Sequence, residues 1–95
     1  MDIKTKSGFS CKVKEKKAKD WRFAKALAEC DSGDESKIIK GMTFVVPFLL
    51  GEDQEQKLID HVTDKDGIAS TESIMKEFRE ILEMIGQNNN DAKKS

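Results

Sequence analysis

The sequence contains few of the residues on which catalytic and metal sites depend. Its 95 residues include one histidine, two cysteines, one proline and no tyrosine. His61, Cys11 and Cys30 stand at spacings unrelated to a zinc motif, and neither cysteine has the flanking residues of a nucleophile. No glycine-rich phosphate loop is present either. We therefore expect no catalytic residue, no metal site and no cofactor, and predict that the protein is not an enzyme.

The chain also lacks a hydrophobic run long enough to span a membrane. Its most apolar stretch, residues 38–50, covers thirteen residues and includes Lys40, Gly41 and Pro47, whereas a transmembrane helix needs about 20 apolar residues. The two cysteines form no CxxC pair and follow no apolar leader. We expect a cytosolic chain with two reduced, buried thiols.

One stretch superficially resembles a calcium-binding EF-hand loop, the sequence DKDGIASTE at residues 64–72. With Gly67 at the sixth loop position, Asp64 and Asp66 occupy the third and fifth positions correctly. The first and twelfth positions then fall on Val62 and Ser73, which are not carboxylates. The stretch is better interpreted as a hydrated turn followed by a helix cap.

Composition predicts one small globular domain, with 37% hydrophobic and 37% charged residues. Residues 1–25 carry nine Lys or Arg against three Asp or Glu, and residues 26–95 carry eight against fifteen. This asymmetry favours protein partners or self-association over a uniform nucleic-acid surface.

Strict alternation near the N-terminus predicts a β-hairpin. Ile3, Phe9 and Cys11 share one parity, and lysines occupy the other. A three-residue loop at residues 6–8 pairs Ile3 with Cys11 and puts Gly8 where a left-handed residue is needed. A two-residue turn would instead pair Ile3 with Lys12, so the longer loop is preferred.

Helix caps and apolar spacing predict four helices after the hairpin. Asp20 caps a first helix to about Cys30, and Asp34 caps a second from Glu35 toward Val46. The first helix is expected to pack through Phe23, Ala24, Leu27 and Ala28. Residues 52–62 form a third helix, and Ser70 or Thr71 caps a fourth with a regular apolar stripe that ends at Gly86. The prediction is an α+β, mostly helical domain at residues 1–86 and a disordered polar tail at residues 87–95.

The order of these elements resembles the small tail assembly chaperones of siphophages and prophages of Gram-positive bacteria. The resemblance covers most of residues 1–86 and depends on IKTKSGF, LLGEDQEQKLIDHV and DKDGIASTESIMKEFREIL. It implies a mostly helical, non-enzymatic protein of the bacterial host cytoplasm. Such proteins bind the long, hydrophobic tape measure protein during tail morphogenesis and can form homo-oligomers around it. The resemblance brings no defined site residues.

The second helix offers a candidate partner-binding face. A helical projection puts Ile38, Met42, Val45 and Leu49 in one core row and Ile39, Thr43, Val46 and Leu50 in the next. The candidate partner residues lie on the opposite face: Lys40, Gly41, Phe44 and Phe48. We expect these aromatic side chains to anchor a partner, unless the hairpin or the tail folds over this face.

A second interpretation remains open. The basic run KVKEKKAKDWRF, residues 12–23, carries an interleaved tryptophan and is typical of a nucleic-acid contact. The same lysines equally describe the wet face and exposed edge of a strand. A small regulatory or nucleic-acid-binding module of a mobile element is therefore the alternative function.

Overall fold

The computed structural model describes residues 1–86 in full and the helical backbone of residues 87–94. Within residues 1–94 the chain forms an antiparallel β-hairpin, a short 3-10 helix and four α-helices, which confirms the predicted α+β, mostly helical fold. The elements in chain order are β1 (Asp2–Lys4), β2 (Ser10–Lys12), the 3-10 helix (Glu15–Lys19), α1 (Trp21–Cys30), α2 (Glu35–Leu50), α3 (Glu52–Val62) and α4 (Thr71–Lys94).

The hairpin has the predicted register. Ile3 pairs with Cys11, and both side chains are buried. The loop closes as the Gly8 amide donates to the Thr5 carbonyl at 3.0 Å and the Thr5 amide donates to the Phe9 carbonyl at 2.8 Å. Gly8 has a φ of 98°, a conformation that glycine adopts without steric cost. The three-residue loop is thus confirmed.

Side-chain caps begin three of the helices where the sequence predicted them. The Asp20 carboxylate accepts from the amide of Arg22, and the Asp34 carboxylate accepts from the amide of Ser36. At α4, the Ser70 hydroxyl accepts from the amide of a residue three positions further on, at 3.1 Å. These bonds satisfy amides that the first helical turn leaves without partners.

Helix α2 runs past Val46 with Pro47 inside it and stops at Leu50, the last residue of the helical projection. Pro47 cannot donate to the carbonyl of Thr43, four residues earlier. Thr43 lies on the exposed side of the helix, where water can replace the missing donor. Gly51, with a φ of 81°, then separates α2 from α3.

The core lies between the hairpin, α1, α2 and α4, and α3 adds Leu58. Phe23 of α1 and Phe78 of α4 are almost fully buried, with ring centroids 6.4 Å apart. Both cysteine thiols are free and buried, as the sequence predicted. The largest fully buried side chains are Phe23, Phe78, Leu49, Leu58, Ile81 and Val45.

Helix α1 packs through a face that only partly matches the predicted one. Phe23 is buried and Leu27 is partly buried, as predicted. Ala24 and Ala28 are exposed, and Ala26 and Cys30 are buried in their place. Ala26 and Cys30 face Gly41 of α2, which lies against α1. A Cβ atom there would be 2.5 Å from the Ala26 carbonyl oxygen and 2.8 Å from the Cys30 Sγ. Close approach of the two helices therefore turns this face of α1 inward.

Helix α4 continues past Gly86, where the sequence predicted its end. The predicted disordered tail, residues 87–95, lies outside the fully described residues. No helix in the described part of the chain combines the length and apolar character that crossing a bilayer requires.

Candidate partner-binding surface

The outer side of α2 carries apolar side chains that the fold leaves exposed. Ile39 is 51% exposed and Phe44 is 38% exposed, and Thr43 lies between them, also exposed. We call these three residues the ridge. Its position follows from the core side of the helix, which buries Met42, Val45, Val46, Leu49 and Leu50. Because α2 is apolar on more than its core side, packing of the inner face leaves the ridge side chains exposed to solvent.

An apolar groove of about 280 Å³ runs along one side of the ridge, between α2, α3 and the start of α4. Ile39 and Thr43 form its α2 wall, Leu58 and Ile59 its α3 wall, and Ile74 closes it from α4. The one charged residue in its lining is Glu55. A surface of this kind suits an apolar side chain or the apolar face of a helix.

The two phenylalanines of α2 form a stacked pair that joins the surface to the core. The rings of Phe44 and Phe48 are 5.2 Å apart, and Phe48 lies 6.1 Å from the buried Phe23. Phe48 is half-buried, because Lys17 and Arg22 lie over its ring at 5.8 Å and 5.5 Å. Phe48 therefore supports the surface, and Phe44 is the ring that a partner can reach.

A basic trough lies on the other side of the ridge, between α1 and α2. Arg22, Lys25 and Lys40 contribute positive charge to its lining, and Glu29 is its acidic residue. Thr43 and Phe44 also line it, so trough, ridge and groove form one continuous face. Lys40 and Glu29 approach to 3.9 Å with the lysine 77% exposed, a geometry that stabilises little.

Arg22 is held in place at the edge of this face. Its Nε and Nη2 donate to the two oxygens of Asp20 at 3.1 Å and 3.0 Å. These hydrogen bonds lower the pKa of Asp20 to about 2. Asp20 is thus ionised across the physiological range and keeps the guanidinium over Phe48.

The predicted partner residues fall into three environments. Phe44 and Lys40 are exposed on the same side of α2, as the sequence predicted, and Phe48 is half-buried. Gly41 is a correction, because it is buried against α1 and presents no surface. The expected alternative was that the hairpin or the tail covers this face. Among the described residues, Lys17 of the 3-10 helix and Arg22 of α1 lie over Phe48, and the tail lies outside the fully described residues.

A Ser–His–Glu cluster lies elsewhere, where the hairpin meets α3 and α4. The Ser7 hydroxyl donates to Glu77 at 2.8 Å and contacts His61 Nε2 at 2.9 Å. Because a carboxylate only accepts hydrogen bonds, the Ser7 hydroxyl hydrogen points to Glu77, and His61 Nε2 then donates to the Ser7 oxygen. Activation of a serine nucleophile needs the opposite direction. Thr5 also donates to Glu77, so the cluster is a clasp that holds the hairpin turn on α4.

The prediction that Ile39 lies in the core is wrong, because its side chain is exposed. Thr43, one turn later in the same row, marks that row as the outer edge of the stripe. Trp21 is 75% exposed at the start of α1, within the basic run. The lysine-rich run around Trp21 is the signal in the sequence for an exposed tryptophan.

Among the described residues, no group of three or more His, Cys, Asp or Glu side chains is placed to hold a metal ion.

Comparisons with protein-family models, curated proteins and solved structures found no match for the chain.

Proposed function

We propose that the protein is a non-enzymatic phage tail assembly chaperone, which binds the tape measure protein during tail morphogenesis in the cytoplasm of the bacterial host. The resemblance of most of residues 1–86 to that class supports the proposal. The surface of α2 supports it independently, because a chaperone for a hydrophobic partner needs apolar side chains available outside its own core.

The observation that carries the proposal is the ridge beside the apolar groove. Ile39 and Phe44 expose apolar area on the outer side of α2, and a partner that covers them gains the free energy of burying it. The groove adjoining them is open and lined mainly by aliphatic side chains. A helix of a partner covers both features at once, and a second copy of this chain is the competing occupant.

Co-expression with the tape measure protein of the same phage or prophage tests the proposal. We expect the tape measure protein to be recovered in the soluble fraction, in complex with the unaltered chain. The paired substitution Ile39→Ser and Phe44→Ser should abolish that recovery, with the circular dichroism spectrum and unfolding midpoint of the chain retained. A tape measure protein that stays insoluble with the unaltered chain, or is recovered equally with the variant, would contradict the proposal.

The exposed Trp21 favours nucleic-acid binding as a second candidate function. Residues 14–25 carry six basic and two acidic side chains, and an exposed tryptophan among lysines is a platform for stacking bases. Trp21→Ser separates the two functions, because Trp21 lines neither the groove nor the trough. Binding of a labelled single-stranded oligonucleotide that is lost in Trp21→Ser and kept in Ile39→Ser would support this second function over the first.

A further inference from the structure

The face of α2 is electrostatically asymmetric across its width. On one side of the ridge the groove is apolar, with Glu55 as its charged residue. On the other side the trough presents Arg22, Lys25 and Lys40 against Glu29. A partner that covers the whole face therefore meets positive charge along one edge only.

A partner that binds this face would contact side chains rather than unpaired backbone groups. Strand addition needs a free sheet edge, and at β2 the Gln54 side chain accepts from the Lys12 amide at 2.6 Å and donates to the Lys12 carbonyl at 2.8 Å. On α2 the helix uses its interior backbone groups itself, except for the Thr43 carbonyl, whose donor Pro47 lacks. A groove next to a ridge instead matches the apolar stripe of an amphipathic helix, with anchors at i, i+3 or i+4 and i+7.

The positive charges of the trough are available to such a helix. Lys25 takes part in neither the Arg22–Asp20 pair nor the Lys40–Glu29 pair. Lys40 is 77% exposed and 3.9 Å from Glu29, so it can turn to another carboxylate at little cost. A row of acidic side chains on the partner would find both lysines beside Phe44.

Resting on the proposed function, we propose that the segment recognised by this face is an amphipathic helix whose apolar stripe is bordered by acidic residues on one side. The apolar stripe covers the ridge and enters the groove, and the acidic border lies along the trough. Apolar contact supplies most of the affinity, and the charges select the partner and fix its direction along α2.

Two designed helical peptides of about 20 residues, roughly 30 Å long, test this inference. They share one apolar stripe and contain no tryptophan. One has glutamate along a single border of the stripe, and the other has lysine at the same positions. Binding is measured by fluorescence anisotropy of a labelled peptide, at low and at high salt. We expect the glutamate peptide to bind at least about tenfold more tightly at low salt, with the difference shrinking as salt screens the charges.

Charge-reversed variants of the protein provide the matched control. Lys25 and Lys40 are exposed, so Lys25→Glu with Lys40→Glu should keep the unfolding midpoint while removing or reversing the preference for the glutamate peptide. Ile39→Ser should weaken both peptides equally. Equal affinity of the two peptides, no binding of either, or a glutamate preference that survives the charge reversal would each overturn the inference.

The inference and the proposed function fail in distinguishable ways. If the charge-reversed variant solubilises the tape measure protein as well as the unaltered chain does, whereas Ile39→Ser with Phe44→Ser does not, the chaperone function stands and the acidic border is wrong. If the unaltered chain does not solubilise the tape measure protein, the function is wrong, and the peptide comparison alone decides the helix preference.

Discussion

At the scale of single residues, Gly41 allows the close approach of α1 and α2. The sequence placed it on an outer face beside Lys40, yet it is buried where the Ala26 carbonyl and the Cys30 sulfur approach the helix. A projection that treats glycine as neutral misses this contact, because the absence of a side chain is what allows the close approach.

We expect Gly41→Ala to lower the free energy of unfolding by about 1–3 kcal/mol, the range for overpacking a tight contact. The added Cβ would lie 2.5 Å from a backbone oxygen, which cannot move without shifting α1. Urea unfolding followed by circular dichroism measures the change. Gly86→Ala is the matched control, since nothing lies within 4 Å of a Cβ there and alanine should stabilise the helix by roughly 0.5–1 kcal/mol. Equal effects at the two sites would contradict the contact.

Burial of the hairpin thiol gives a pH dependence with a definite sign. Loss of hydration raises the pKa of Cys11 above its ordinary value. Its contribution to stability is therefore complete below the pKa of the unfolded chain, about 8.5, and is lost as the pH rises through the higher folded pKa. As the pH rises above about 8.5, the free energy of unfolding should fall more steeply for the unaltered protein than for Cys11→Ala. Parallel profiles would show that the thiolate is tolerated in the folded state.

At the scale of elements, α4 connects the parts of the core. Its Phe78 and Ile81 are almost fully buried, Phe78 faces Phe23 of α1, and Glu77 accepts the hydroxyls of Thr5 and Ser7 from the hairpin. The helix thus contacts α1 through apolar side chains and the hairpin through the hydrogen bonds of Glu77. Its loss should release the hairpin and α1 together.

Phe78→Ala should lower the free energy of unfolding by roughly 3–5 kcal/mol, which for so small a domain leaves little of the folded state. The thermal midpoint followed by circular dichroism measures the loss. Phe44→Ala removes the same atoms from a ring that is 38% exposed and should cost much less. An unchanged midpoint for Phe78→Ala would mean that α4 is not the main support of the core.

Some features of these elements can be predicted from the sequence, and others cannot. Alternation and a required left-handed Gly8 predicted the hairpin register, and local capping by Asp20, Asp34 and Ser70 predicted the helix starts. These features depend on neighbours in the chain. The inward faces of α1 and α2 depend on how the helices meet, so Ala24 and Ile39 were assigned to the core although they are exposed. The 3-10 helix (Glu15–Lys19) was missed because its lysine-rich sequence carries no apolar period.

At the scale of the whole molecule, the chain divides its apolar residues between a core and an outer face on the same helix. Helix α2 is apolar on most of its circumference, and the other helices cover only its inner side. Because α2 is more apolar than its buried side requires, the candidate site could be predicted in part from the sequence. An apolar helix bearing two additional phenylalanines indicated a surface, but which ring is exposed depends on Lys17 and Arg22, which are distant in sequence.

That division leads to a prediction that separates stability from binding. Phe48 is half-buried against Phe23 beneath two cations, whereas Phe44 stacks on its outer side. Phe48→Ser should therefore lower the free energy of unfolding by about 2–4 kcal/mol, near the lower part of the range for removing a large core side chain. Phe44→Ser should change it by less than about 1 kcal/mol.

The two variants should rank in the opposite order for partner binding, measured at a temperature where both remain folded. Phe44→Ser removes the ring that we propose as the contact for a partner helix. It should weaken binding of the glutamate-bordered peptide about tenfold or more, as loss of an aromatic anchor does. Phe48→Ser leaves Phe44 and the groove available and should weaken binding less. If Phe44→Ser destabilises the protein as strongly as Phe48→Ser, or if it binds the peptide normally, the outer face of α2 belongs to the core and the partner lies elsewhere.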